Sequence, residues 1–422
     1  MAAEKVKKKA FTFASGLLGD TVTTLTVLVF VFVFTILLGT LVVILAIPVV
    51  RDLTLIGGVI LSVVLVPLIV IFGIGNYFLI KHVFETHDNW FCNLFRTREV
   101  EPKELTREYK KRYILQKLTT FGISVVIYVI SLLISSTLLL IPFICLILLP
   151  VAFPFVLLTI TMPVIAWISL SYAFDLYHPE PRGFLVLALL WGMFSTFPSI
   201  YFNTFNITWM SEFQVGVISA PIFEELFKSL GFFLLYRQVK NGSDGLLYGV
   251  AFGGGFALLE NFKYGTDILL AGGGGLLFLD IMLFRSFFCV ALHMIGPALV
   301  GIVIGSHRGV FRDLLRGKTS KGAARFLSYP SMVVFGVLAY VVAVLNHSLW
   351  NLIAGIPMLV DEKFLIPAVL ISRMLNGLYG LILITIMIGL IIGSFFVADR
   401  RYLKNRHWDA GSRSKKDNSA KE

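Results

Sequence analysis

The sequence predicts an all-α protein, a polytopic transmembrane bundle of about ten spans with both termini in the cytoplasm. Three observations carry that prediction. Of 422 residues, 57% are hydrophobic and only 14% charged, against about 25% charged in a soluble domain. Apolar runs long enough to cross a hydrocarbon core about 30 Å thick recur from one end of the chain to the other. With both ends inside, 30 of the 36 Lys and Arg fall in segments facing the cytoplasm, as the positive-inside rule requires.

The spans are read at approximately 22–50, 55–80, 119–147, 152–174, 184–203, 214–236, 245–270, 285–306, 331–356 and 366–398. Lys5, Lys7, Lys8 and Lys9 precede an apolar run far longer than the roughly 7–15 residues of a signal h-region, so the first run is a span and not a cleaved signal. The first two spans and the polar segment 81–118 make an N-terminal unit, residues 1–118. His82, Glu85, His87 and Asp88 in that segment match no standard metal spacing and read as a solvated linker. Residues 119–398 form the membrane core. The basic tail 399–422 is expected to be disordered, its start suited to anionic lipid. The stretch 276–280 is expected to re-enter or lie at the outer interface, because an eleventh crossing would invert every later loop. Cys92, Cys145 and Cys289 show neither paired nor zinc-ribbon spacing. The net charge of +11 lies in loops and tails. It orients the chain and gives no reason to expect nucleic acid.

Within this apolar frame a few spans carry polar groups. The sixth holds Glu224, Glu225 and Lys228. Each charge near the centre of a membrane helix costs about 2.5–3.5 kcal/mol on insertion scales, so such groups face protein or water and mark a functional site. The seventh holds a small-xxx-small pair, Gly249 and Gly253, then Glu260 and Asn261. The eighth carries Arg285 at its outer end, where it can snorkel, then His293 followed by Gly296 and Pro297. The ninth carries Asn346, His347 and Asn351, the last two sharing a helix face. Counted from the outer ends at 1.5 Å per residue, Glu224, Glu260, His293 and His347 all lie about 12–15 Å deep. Two carboxylates and two imidazoles on four helices are what hydrolysis inside a membrane needs. A carboxylate activates water, imidazoles hold an oxyanion or a metal, and an amide positions the carbonyl.

These residues resemble the PrsW family of intramembrane proteases, which is related to the CAAX-prenyl endoproteases. The resemblance runs from about residue 175 to 393. It rests on an acidic, proline-containing lead-in (Asp175, Pro179, Glu180, Pro181), E-E-x-x-K at Glu224, Glu225 and Lys228, and F-x-x-x-E-N at Phe256, Glu260 and Asn261. Arg285 with His293, and N-H-x-x-W-N from Asn346 to Asn351, complete it. The CAAX branch usually has His where this chain has Glu260, and Arg a little after the paired glutamates, where this chain has Lys228. The resemblance implies an intramembrane endopeptidase acting on a membrane protein or peptide, in a prokaryotic cell membrane. Glu224 would be the general base, and Glu225 would pair with Lys228. Glu260 would join the catalytic set. His293 and His347 would bind the oxyanion or, with Glu224, a Zn²⁺ ion. Lys228, Asn261, Arg285, Asn346 and Asn351 would support, with Asn351 orienting substrate or water. No H-E-x-x-H is present, so a zincin-like site is not indicated and the glutamate chemistry is preferred. Two alternatives stand beside it: a non-catalytic scaffold of the same fold, and an ion-coupled transporter. The second is disfavoured by the lack of duplicated halves.

Overall fold

A computed structural model describes residues 106–139, 142–175, 179–270, 274–315 and 323–419. The first two expected spans, the His82–Asp88 group and the lysines at the start lie outside the described residues. All regular structure among the described residues is helical.

Helix α1, Arg107–Leu138, is capped by Thr106, whose hydroxyl accepts the Tyr109 N–H at 3.1 Å. It begins inside the segment expected to be a polar linker. No Gly or Pro interrupts residues 107–118, so the helix runs from the charged segment into the apolar one unbroken. Helix α2 spans Pro142–Ala173 and α3 Arg182–Asn206. A capping box at Ser211 and a π-helical turn, Val215–Ser219, lead into α4, Ala220–Leu234. Helix α5 is Gly242–Leu270. Helix α6, Gly274–Phe284, continues through a second π-helical turn, Arg285–Cys289, into α7, Val290–Leu315. Helix α8 is Ala323–Ala354. Helix α9, Leu365–Ser419, continues through the basic segment expected to be disordered.

Two expectations change here. Residues 276–280 are not a segment separate from the next helix. They extend α7 outward as one helix of 35 residues, Gly274–Arg308, about 50 Å long at 1.5 Å per residue. Arg285 is consequently not at a span end. Six of the described helices are long and apolar enough to cross a membrane, and α4 and α5 are not among them. These two carry the paired glutamates and the glycine run, which lower their hydropathy. Tyr248, Phe252 and Phe256 of α5 are almost wholly buried. A helix walled by protein has no need to be uniformly apolar.

Glycine sets how tightly α5 is held. A Cβ on Gly245 would lie 1.9 Å from the Gly301 carbonyl oxygen, and one on Gly253 would lie 2.1 Å from that of His293, both on α7. On the other side a Cβ on Gly255 would come within 1.9 Å of the Leu189 carbonyl oxygen on α3. The backbones of α3, α5 and α7 are in direct contact, as small residues permit in membranes. That closeness brings Glu260 and His293 within one side chain's reach.

The loop before α3 is tied to the start of α5 by buried acids. The Asp175 carboxylate accepts the Glu180 N–H at 2.9 Å, and Asp244 accepts the Lys240 N–H at 2.8 Å. The Tyr248 hydroxyl donates to the Glu180 carboxylate. Burial first, then the neighbouring Asp244 carboxylate, pushes Asp175 and Glu180 well above the usual carboxylate range. A raised acid keeps its proton in the native state after the unfolded chain has lost it. The stability these groups contribute is therefore complete below the ordinary carboxylate value, about 4, and is lost as pH rises through their higher native values. Thermal stability of the wild type (its Tm) should fall as pH rises through these native values, and Glu180→Gln should flatten that slope. An unchanged slope would show that Glu180 is ionised in the native protein.

Candidate active site

Helix α4 presents the first three groups. Pro221 in its first turn suits the helix start, where an N–H is not needed. Glu224 and Glu225 follow one turn in, and Lys228 a turn later. The Lys228 ammonium donates to Glu225 Oε1 at 2.6 Å, and both side chains are essentially inaccessible. Lys228 Nζ also lies 4.4 Å from the centre of the Phe256 ring.

Helices α7 and α8 supply the imidazoles. His347 Nδ1 is 3.0 Å from the same Glu225 oxygen, and its Nε2 faces Glu224 Oε2 at 3.7 Å. His293 Nδ1 is 3.1 Å from Lys228 Nζ, and its Nε2 is 2.5 Å from Glu260 Oε2. Helix α5 and the second π-helical turn close the series. Arg285 Nη2 lies 2.8 Å from Glu260 Oε2, and its Nε donates to Asn261 Oδ1 at 2.8 Å. The Arg285 guanidinium stacks 3.7 Å from the Tyr264 ring centre. One continuous chain results: Arg285, Glu260, His293, Lys228, Glu225, His347, Glu224.

The chain fixes where protons sit. An ammonium can only donate, so His293 Nδ1 accepts and its proton is on Nε2, whose 2.5 Å contact with Glu260 Oε2 is close without being a directed hydrogen bond. Glu225 can only accept as a carboxylate, so His347 carries its proton on Nδ1. The Nε2 lone pair of His347 is left facing Glu224. Access differs along the chain. Lys228, Glu225 and His293 are sealed, whereas Glu224 keeps 12% and Glu260 20% side-chain exposure. Glu224 Oε2 has no hydrogen-bond partner, and neither has the buried Asn261 Nδ2. The Arg285–Glu260 contact is an ion pair lying off the hydrogen-bond line, since neither atom makes a directed bond.

Glu224, Glu225, Glu260, His293 and His347 thus come together, with Lys228, Asn261 and Arg285 around them. Arg285 does not snorkel. Its side chain is 11% exposed and spent on Glu260 and Asn261. Asn346 faces away, its Oδ1 accepting the Tyr379 hydroxyl of α9 at 2.5 Å. Asn351 donates to the Gly216 carbonyl at 2.8 Å. Gly296, Tyr264 and Tyr379 were not among the sequence candidates. Gly296 abuts Glu225, where a Cβ would lie 2.1 Å from Oε2. Tyr379 had a signal. Ser372, Asn376 and Tyr379 recur at helical spacing in an otherwise apolar span, the pattern of one polar stripe.

Glu224, His293 and His347 can bring three ligand atoms within 4.8 Å of one another, the one such group among the described residues. Two imidazoles and a carboxylate suit Zn²⁺ in type. His347 fits best, since its Nδ1–H is held by a carboxylate and its Nε2 is free. His293 would have to exchange its Nε2 proton for the ion.

Residues 180–389 match the family described as PrsW family intramembrane metalloprotease. The protein named Protease PrsW from Geobacillus kaustophilus (strain HTA426) is 27% identical over 149 residues. That alignment covers 34% of this chain and spans 62% of the relative's length. No solved structure matches. Every residue of the seven-membered chain falls inside the matched segment, and over that segment, just under half of the chain, the protein is similar to the PrsW family of intramembrane metalloproteases.

Proposed function

We propose that this protein is an endopeptidase that cleaves membrane-associated proteins or peptides within or near the bilayer, with water activated by Glu224. The observation that carries the reading is the approach of His347 Nε2 to Glu224 Oε2, 3.7 Å apart. The Glu224 side chain is 12% exposed, and its Oε2, itself buried, has no hydrogen-bond partner. A water at that oxygen loses a proton to the carboxylate as its oxygen attacks the scissile carbonyl carbon. His347 Nε2 then takes that proton from Glu224 and gives it to the amine nitrogen as the C–N bond breaks, which returns Glu224 to its carboxylate. Glu225 fixes its tautomer and stabilises the imidazolium, as a carboxylate does behind a catalytic histidine. Lys228 holds Glu225 charged and in place. Arg285 and Glu260 hold His293. We place the protein in a bacterial cell membrane, as its relative's source suggests.

A second reading is supported by the three converging ligand atoms and by the family's description. In it Glu224, His293 and His347 hold Zn²⁺, which when bound supplies a Lewis acid and an activated water. The wiring of His293 favours the first reading, because both of its nitrogens are already engaged.

One experiment tests both. The purified full-length protein is placed in proteoliposomes with labelled single-span peptides, with and without a zinc chelator. Glutamate chemistry predicts cleavage that survives chelation and is lost in His347→Ala by about 10²-fold or more. Loss on chelation with recovery on Zn²⁺ would establish the metal reading. Cleavage by His347→Ala at the wild-type rate would exclude both.

A further inference from the structure

Helix α8 is weakly enclosed. Along Met332–Ala354 only 11% of the span is buried in the protein. It must nevertheless keep His347 within 3.0 Å of Glu225. Apolar packing gives little grip in a membrane, because lipid tails are as apolar as leucine. The grip is polar. The Tyr340 hydroxyl donates to the Ile222 carbonyl at 2.8 Å, and Asn351 Nδ2 donates to the Gly216 carbonyl at 2.8 Å. Both carbonyls lie on α4 and its lead-in, ahead of Glu224. On α8 the two donors bracket His347, about two turns before it and one turn after.

The Gly216 carbonyl is available for a reason written in the sequence. In the π-helical turn an N–H pairs with the carbonyl five residues back, and the Ala220 N–H does so with Val215. The next bond of that series would run from residue 221 to Gly216. Residue 221 is proline and has no N–H. A backbone carbonyl without a donor inside a membrane protein costs free energy. Asn351 supplies the donor.

We infer that Asn351 is a positioning residue: its amide takes up the Gly216 carbonyl that Pro221 strands, and with Tyr340 it fixes the register of α8 on α4 so that His347 meets Glu224 and Glu225. The inference rests on the protease reading of the site, and it moves Asn351 from substrate contact to support. It also assigns Pro221 a part in the site, through the carbonyl it leaves open.

The test is a mutant cycle on the full-length protein, Asn351→Ala, Pro221→Ala and the double variant, read by Tm, kcat and KM. Asn351→Ala should lower Tm and reduce kcat about tenfold, with KM little changed. In the Pro221→Ala background residue 221 has an N–H to offer Gly216, and the same substitution should cost less than about threefold. An equal kcat loss in both backgrounds, with Tm unmoved by Asn351→Ala, would overturn the inference and return Asn351 to the substrate. Should the wild type cleave nothing, the Tm cycle still decides: coupling supports the clamp and additivity removes it. If Pro221→Ala does not fold, Tyr340→Phe serves instead. It should reproduce the drop in kcat and Tm at steady KM, and wild-type values would count against the clamp.

Discussion

Glu224→Gln should abolish cleavage, lowering kcat by about 10²–10⁴-fold, the range a positioned general base contributes, while the protein stays folded. Glutamine has the shape of glutamate but cannot take a proton from water. The substitution leaves the sealed pair untouched, because Lys228 is bound to Glu225. It disturbs no hydrogen bond of Glu224 Oε2, which has none. The change therefore falls on chemistry and not on stability. Single-turnover cleavage in proteoliposomes with a parallel Tm measurement separates the two. A variant keeping more than a tenth of wild-type kcat would remove Glu224 from the base role. Loss of Tm without loss of rate per folded molecule would make it a structural group.

Gly296→Ala should be the small change that strikes the polar chain most directly. The added methyl would sit 2.1 Å from Glu225 Oε2, 2.9 Å from its carboxyl carbon and 3.1 Å from the Ala343 Cβ. Glu225 cannot simply swing aside, because its other oxygen receives both Lys228 and His347. Moving it breaks a buried ion pair, which typically costs about 3–5 kcal/mol, and frees His347 to lose its tautomer. Both Tm and kcat should collapse. Gly336→Ala and Gly377→Ala are matched controls, since nothing lies within 4 Å of a Cβ at either position. Near-normal Tm and activity in Gly296→Ala would mean that Glu225 is not seated between α4 and α7.

Much of this site was legible in the residues alone. Charge in an apolar run announces itself through its cost, so Glu224, Glu225, Glu260, His293 and His347 stood out. Counting depth placed four of them in one layer. The count for His293 used the wrong reference, because α6 lengthens its helix well beyond Arg285. The layer survives because α5 and α7 are locked by glycines whose spacing is in the sequence. What was not legible is the wiring. The pairing of Lys228 with Glu225 was expected and is found, but the second contact of the lysine, to His293 on another helix, was not. Rotamers and neighbouring helices decide that. Asn346 and Asn351 flank His347 in sequence, but their amides point to α9 and to the α4 lead-in. Spans 214–236 and 245–270 were read from their apolar runs, whereas α4 as folded is only 15 residues long and neither α4 nor α5 is among the six candidate spans.

That last feature bears on how the protein is made. A helix like α5, with glycines on two sides and Glu260 ten residues from its end, gains little by leaving the translocon for lipid on its own. Its natural solvent is the flank of α3 and α7, and α7 is synthesised after it. Insertion of α5 is thus coupled to the arrival of a later segment, and biogenesis in this core is a joint event among several helices rather than a procession of independent ones.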